Sequence, residues 1–329
     1  MPDILTEPVR NRSAWMAGNL RQEDWLIQLT QAEIAALDDA LTAVKAKGLA
    51  AETFGRDAFP LPGMADTLAR LRDAVCDGPG FAVLRGLPAA RYDTDDLLTL
   101  FWGFGMHFGR PVSQNSYGDL LGHVFDQGVK MGEGRVRGYQ TSQHLRFHTD
   151  RADLTLLLCL RPAMRGGRSS VVSSIAIHNA ILERHPDYLP PFYAGYPIVH
   201  VEEGGESETR RVPVFSLADG VLSCGIQRNT VETAIRKGAL PVSAHERAAL
   251  DCFDSLANDP GFRIDMDLQA GDIQLCNNYT VMHARTAYED DPDPALKRRL
   301  ARLWLGFDTP RPIAPHFADY NGIPKDLER

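Results

Sequence analysis

His148-Thr149-Asp150 and, far downstream, His283 supply two imidazoles and one carboxylate, the donor set that holds a single non-haem iron(II) ion from one side. His148 and Asp150 are two residues apart, so on an extended strand both side chains leave from the same face and reach one metal together. His283 closes the segment Gly271-Asp-Ile-Gln-Leu-Cys-Asn-Asn-Tyr-Thr-Val-Met-His283 and must arrive from another strand or from the loop that leaves one. Three ligands on one face of an octahedral ion leave the opposite face for substrates, as oxygen activation requires, whereas a closed structural site leaves no such room. A His-x-Asp pattern is weak by itself in a chain with ten histidines, so its surroundings decide.

Those surroundings come in a fixed order. After Asp150 stands the apolar run 154–160, then Arg161-Pro162 and the turn Gly166-Gly167-Arg168-Ser169-Ser170 leading into Val171-Val172; after His283 comes Arg298-Arg299-Leu300-Ala301-Arg302-Leu303-Trp304. In this order the pieces resemble the taurine dioxygenase (TauD/TfdA) family of iron(II)/2-oxoglutarate-dependent oxygenases, over roughly residues 80–307. The resemblance implies that His148, Asp150 and His283 bind iron(II), and that Arg298 pairs with the distal carboxylate of 2-oxoglutarate. It also implies an assisting hydroxyl from the glycine turn, which falls on Ser169, with Ser170 as the alternative register. Arg302 matches the family's second arginine, at the cosubstrate end of the site but nearer the primary substrate. Many members carry an acidic residue and a threonine where this chain has Arg168-Ser169, a departure that bears on the hydroxyl partner. The implied reaction uses 2-oxoglutarate and O2, yields succinate and CO2, and hydroxylates or otherwise oxidises a C–H bond of a small organic molecule. Asp150 speaks against halogenation, whose catalysts give up that carboxylate; desaturation, epimerisation and cyclisation stay open.

Elementary chemistry supports the arginines independently. A dicarboxylate that chelates metal through its 2-oxo acid end leaves a second carboxylate needing a charged, planar, two-pronged donor, which arginine provides better than lysine. On a strand Arg298, Leu300, Arg302 and Trp304 share one face, and Arg299 points to the other, which we expect to be solvent. Substrate-contact candidates are Gln114, Asn115, Arg137, Tyr139 and Arg228, together with Arg302, since in relatives polar residues before the metal pair and near the second arginine fall toward the pocket. Several are arginines, which suggests an anionic substrate: a carboxylate, sulfonate or phosphate. Asn277 and Asn278 either support a metal ligand from behind or simply make a turn. His144 and His148, four apart, lack the glutamate of a zinc-hydrolase helix. The remaining histidines have no partner spacing, though His200 lies in an alternating strand that could line the pocket.

Elements must carry these residues to one place. Thr30 and Glu33 form a capping box opening an amphipathic helix through Val44 that Gly48 can close. Further helices are expected at about 66–75, 92–104, 177–184 and 244–256, the last opened by Ser243 and Glu246. After a strand at 81–84, strand patterns fall at 154–160, 170–174, 196–202, 212–217, 221–226, 262–268, 272–277 and 300–307. The glycine- and proline-rich turns between them suggest a mainly β chain with flanking helices (α+β), built on a double-stranded β-helix or jelly-roll core. We expect one domain: a helical scaffold to about residue 80, a catalytic core to about 310 with helical insertions, and a tail from 311 to 329. Tyr288 and the acidic stretch after it read as an exposed hairpin loop.

A chain of 329 residues, 44% hydrophobic and 24% charged, is ordinary for a soluble globular protein. A net charge of −8 disfavours nucleic acid and anionic membrane as partners, leaving a small-molecule substrate. The acids and prolines near Met1 are unlike a signal peptide, no apolar run reaches membrane-spanning length, and five cysteines without a Cys-x-x-Cys pair suit a reducing cytoplasm. A homo-oligomer, most commonly a dimer, is the default assembly. Two other readings compete with the oxygenase: a jelly-roll sensor or binding module that keeps its metal for structure, and a cupin-type metalloenzyme that uses no 2-oxoglutarate.

Overall fold

Strands of this chain alternate in character, and the computed structural model shows what each side meets; it describes residues 3–130, 137–201, 207–238, 240–309, 311–320 and 322–323. In the strand Leu154–Arg161, Leu154, Leu156 and Leu158 enter one apolar cluster, whereas Leu157 and Cys159 belong to another on the opposite side. Strand Arg299–Gly306 runs antiparallel beside it, pairing Leu303 with Leu156 and Trp304 with Thr155. It repeats the pattern: Ala301, Leu303 and Leu305 join the first cluster, and Leu300 joins Cys159. These two strands lie within a seven-stranded sheet, in the order Leu26–Gln28, Phe81–Arg85, Ile273–Asn277, Leu154–Arg161, Arg299–Gly306, Arg110–Pro111, with Leu121–Val124 also paired to Arg299–Gly306. The first pair is parallel and the others antiparallel.

A second sheet of four antiparallel strands has the order Arg263–Met266, Ser169–Ser173, Val281–Arg285, Leu145–His148. Phe147, Val172, Met282 and Ala284 turn outward into a helical cluster, while Val171 and Val281 pack inward against Phe81, Val83 and Cys276 of the larger sheet. The two sheets therefore face one another as a jelly-roll sandwich. Period-two alternation then places His148, His283 and Arg285 inside, since their neighbours in sequence point out.

Helices cover both outer faces. α1 (Gln31–Ala46), α2 (Ala65–Cys76) and α3 (Thr94–Gly105) bury apolar faces on the larger sheet. α4 (Ser174–Arg184), α5 (Leu189–Ala194), α6 (Arg228–Arg236) and α7 (Ala244–Asn258) cover the smaller. Both expected capping boxes form, Thr30 with Glu33 and Ser243 with Glu246. Among the described residues no helix is long and apolar enough to cross a membrane.

Several elements differ from expectation for identifiable reasons. α5 has six residues beginning Leu-Pro-Pro, a composition that reads as loop although proline suits a first helical turn. α6 is nine residues with three buried positions, too short for a periodic signal. The single strand expected at 212–217 is instead the end of Ser207–Val212 and the start of Phe215–Ala218, in separate ribbons, because Pro213 between them cannot donate to a ladder. His283 lies inside a strand of its own rather than in the exit from Ile273–Asn277. The side chain of His200 and the expected strand end at residue 202 lie outside the described residues.

The turn into Ile273–Asn277 is constrained on two sides. Gly271 has a φ of +92° and a Cβ there would meet the Leu87 carbonyl oxygen at 2.0 Å, while Asp272 holds Arg85 at 2.6 Å. Gly271→Ala is expected to lower unfolding free energy by more than about 1 kcal/mol, measured by urea denaturation; wild-type stability would show that the turn relaxes freely.

Candidate active site

Between the sheets, His148, Asp150 and His283 each offer a donor atom, all within 4.8 Å of one another. His148 Nε2 lies 3.8 Å from Asp150 Oδ1 and His283 Nε2 lies 3.6 Å from Asp150 Oδ2. These gaps are too long for hydrogen bonds and suit donors that share one ion. The Nδ1 of His148 sits 2.9 Å from the Arg146 carbonyl oxygen; a carbonyl only accepts, so Nδ1 carries the proton and Nε2 presents a lone pair to the site. His283 is pushed down to about 3 by burial and then by His148, which keeps it neutral, as a ligand must be. Its Nδ1 is buried without a hydrogen-bond partner among the described residues, so strand position and the His148 ring, 4.3 Å away between centroids, orient it.

Asp150 follows the strand Leu145–His148, and its backbone N–H donates to Asn278 Oδ1 at 3.0 Å. Its Oδ2 accepts from the Thr155 hydroxyl and from Trp304 Nε1, both at 2.9 Å. Thr155 and Trp304 are ladder partners on the inner face, so one carboxylate oxygen is fixed by two strands and Oδ1 remains for a metal. Burial alone would raise the Asp150 pKa, but Arg302 and the Trp304 hydrogen bond hold it well below the usual carboxylate range. The donor set fits iron(II): two neutral imidazoles, one ionised carboxylate and supporting hydrogen bonds.

A second group of polar side chains is also buried. Arg298 is buried, its Nη1 has no hydrogen-bond partner among the described residues, and its guanidinium carbon lies 4.9 Å from the centre of the Tyr288 ring. Arg285 lies 4.7 Å from the same ring, and burial pushes its pKa down to about 10, with Arg298 adding to the effect. Tyr288 is thus a buried platform, not part of an exposed loop. The two serines point opposite ways: Ser169 donates inward to Gln274 Oε1 at 2.9 Å, and Ser170 donates to Asp265 Oδ1 at 2.6 Å. Arg299, expected in solvent, is half-buried against His123 on the far face of the sheet, with its Nη2 3.5 Å from His123 Nδ1.

The substrate candidates separate. Arg302 Nε donates to Gln114 Oε1 at 2.7 Å, its Nη1 lies 3.7 Å from Asp150 Oδ1, and its guanidinium carbon lies 5.0 Å from the Tyr139 ring centre and 4.7 Å from that of Trp304. Tyr139 therefore lies at the site, as does Gln114, whose amide also donates to the Leu120 and Arg302 carbonyls. Gln114 is consumed in holding Arg302. Arg137 reaches the Gln114 carbonyl at 3.0 Å. Asn115 instead shapes its own turn through the N–H groups of Tyr117 and Asp119. Arg228 is elsewhere, held by Glu232, Asp251 and Asp254 of α6 and α7. Asn277 bonds the Val75 carbonyl and caps Tyr279, a structural tie; Asn278, bonded to Asp150 and Thr155, stands directly behind the Asp150 carboxylate. Thr155, Trp304, Arg285 and Tyr288 escaped sequence reasoning, although the inner-face alternation shared by Arg302 and Trp304 was a usable signal for the tryptophan.

Fold and site together define a mononuclear non-haem iron enzyme. The profile of the "Taurine catabolism dioxygenase TauD, TfdA family" matches residues 45–304, and the chain belongs to that family. FR-33289 synthase of Streptomyces rubellomurinus (strain ATCC 31215) is 31% identical over 318 residues, 94% of this chain and 94% of that protein. Taurine hydroxylase-like protein SAT17 of Stachybotrys chartarum (strain CBS 109288 / IBT 7711) is 29% identical over 311 residues, 91% and 80% of the two chains. Among solved structures, asparagine oxygenase in complex with Fe(II), 2S,3S-3-hydroxyasparagine and succinate shares the fold, with a TM-score of 0.66 at 16% identity over 85% of this chain and 93% of that one. The chain is a non-haem iron dioxygenase, with iron(II) as its metal and 2-oxoglutarate as its cosubstrate.

Trp304→Phe keeps a ring but removes the donor to Asp150 Oδ2, and Thr155→Val removes the other. Loss of such supporting partners costs about 10- to 100-fold in metal affinity, so each variant is expected to bind iron(II) correspondingly more weakly in an oxygen-free competition titration. Affinities equal to wild type in both would show that the Asp150 ligand needs no such support.

Proposed function

We propose that His148, Asp150 and His283 hold the iron, that Arg298 receives the distal carboxylate of 2-oxoglutarate, and that the enzyme hydroxylates, or oxidises in a related way, a C–H bond of a small organic anion. The observation that carries the anion reading is Arg302. Its guanidinium is anchored by Gln114, lies against Tyr139 and Trp304, and touches the metal-facing oxygen of Asp150. A charge fixed in that way cannot retreat to solvent and stays beside the candidate metal residues, where an anionic substrate would find it. Taurine, which the family description names, bears a sulfonate, and the hydroxyasparagine bound in the asparagine oxygenase bears a carboxylate.

When bound, iron(II) would supply the oxidising chemistry with O2 as the oxidant: one oxygen atom would go into succinate as 2-oxoglutarate loses CO2, and the other would be left for the substrate C–H bond. This chain's own residues would do the rest. Asp150 and the imidazoles would hold the ion; Trp304, Leu157 and Leu300 on the inner face exclude water; Arg302 would orient the anion toward the metal.

The test is substrate-dependent succinate release across small sulfonates, phosphonates, phosphates and carboxylates, followed by variants on the best substrate. Arg298→Ala is expected to abolish measurable 2-oxoglutarate binding, and Arg302→Ala to weaken the substrate anion by about tenfold or more, the worth of a charged hydrogen bond. Unchanged substrate affinity in Arg302→Ala would remove the main support for an anionic substrate.

A further inference from the structure

We propose that Arg285 is a second arginine for the distal carboxylate of 2-oxoglutarate, acting beside Arg298; this rests on the cosubstrate reading above. Arg285 is on the same strand as His283 and on the same inward side, two residues farther along. That displaces it by about 7 Å along the strand from His283, in keeping with a five-carbon acid whose head is at the metal and whose other carboxylate reaches along the strand.

The hydrogen-bond inventory of Arg285 is incomplete in a specific way. Its Nη2 donates to the Thr141 and Gln143 carbonyls at 2.7 and 2.6 Å, which anchors one prong of the fork. Among the described residues its Nε and Nη1 are buried without a partner, and so is Nη1 of Arg298. Both guanidiniums lie against the Tyr288 ring, at 4.7 and 4.9 Å. Among the described residues neither arginine forms an ion pair; Asp126 and Asp290 act on Arg285 through space, and Asp290 Oδ1 accepts from the Arg298 backbone N–H. Two buried like charges with three empty donors around one ring are a costly arrangement in an interior unless an anion fills it.

The hydroxyl that the glycine turn would contribute is already engaged. Ser169 is the ladder partner of Arg285 and donates its proton to Gln274. Arg285 therefore supplies from the neighbouring strand the donors that Ser169 withholds. Its alternative role is that of a tie, joining the 141–143 loop to the strand through Nη2 alone. The two roles separate on ligand chemistry, because a tie does not distinguish acids by their far end.

Oxygen-free calorimetry on the iron(II)-loaded full chain would compare wild type, Arg285→Gln, Arg285→Lys and Arg298→Gln with 2-oxoglutarate and with 2-oxobutyrate, which has the same chelating head and no second carboxylate. Arg285→Gln is expected to weaken 2-oxoglutarate by about 10- to 100-fold, with 2-oxobutyrate unchanged and part of the loss recovered in Arg285→Lys. Equal weakening of both acids, or wild-type affinity for 2-oxoglutarate, would overturn the proposal. A wild-type protein that binds iron but neither acid would sink the cosubstrate reading itself, whereas loss in Arg298→Gln alone would sink only the role of Arg285. Should Arg285→Gln fail to fold, the crystal structure of the wild-type complex with 2-oxoglutarate decides: a carboxylate oxygen within hydrogen-bond distance of Arg285 Nε or Nη1 supports the proposal, and a carboxylate placed away from them refutes it.

Discussion

An ionised carboxylate, Asp150, is buried between two β-sheets, and the residues around it keep it charged. Isolated burial of such a group costs several kcal/mol even after relaxation, and an uncompensated carboxyl would take up a proton and cease to be a metal ligand. Compensation comes from Thr155 and Trp304, which donate to Oδ2, and from the Arg302 guanidinium nearby, while Asn278 accepts from the Asp150 backbone N–H. Thr155 lies on one strand, Arg302 and Trp304 on its neighbour and Asn278 in the turn before Val281–Arg285, so the carboxylate is correctly placed only when these segments have come together.

The sandwich makes this feasible because its faces divide the labour. Outward residues of both sheets are apolar and buried under helices, which supply the hydrophobic stabilisation. Inward residues are then free to be Thr155, Gln274, Arg302, His283 and Arg285, a row of polar groups that no ordinary core would tolerate. Low dielectric between the sheets strengthens every interaction of charge with charge there. The site has two groups: His148, Asp150 and His283 with Thr155 and Trp304, and the two arginines around Tyr288.

Much of this could be read without coordinates, and what could not is informative. Two imidazoles and a carboxylate are recognisable because few residue types bind iron, and the common side of Leu300, Arg302 and Trp304 follows from strand alternation. The support of Asp150 was illegible, because Thr155 and Trp304 become partners only through a ladder between segments about 150 residues apart. Gln114 and Arg228 show the limit of polarity as a guide. Gln114 comes to the site but spends its amide on Arg302, and Arg228 answers three acids on α6 and α7 that no local pattern connects to it. Tyr288, next to an acidic and proline-rich run, looked exposed because nothing local records that two arginines bury it.

The most direct test of the account is an oxygen-free titration of the iron(II)-loaded protein with 2-oxoglutarate, following the weak visible absorption that appears when a 2-oxo acid chelates iron(II), with Asp150→Ala alongside. The account predicts a saturable band in the wild type that is lost or strongly weakened in Asp150→Ala. Iron bound by the wild type with no band at saturating 2-oxoglutarate would contradict it.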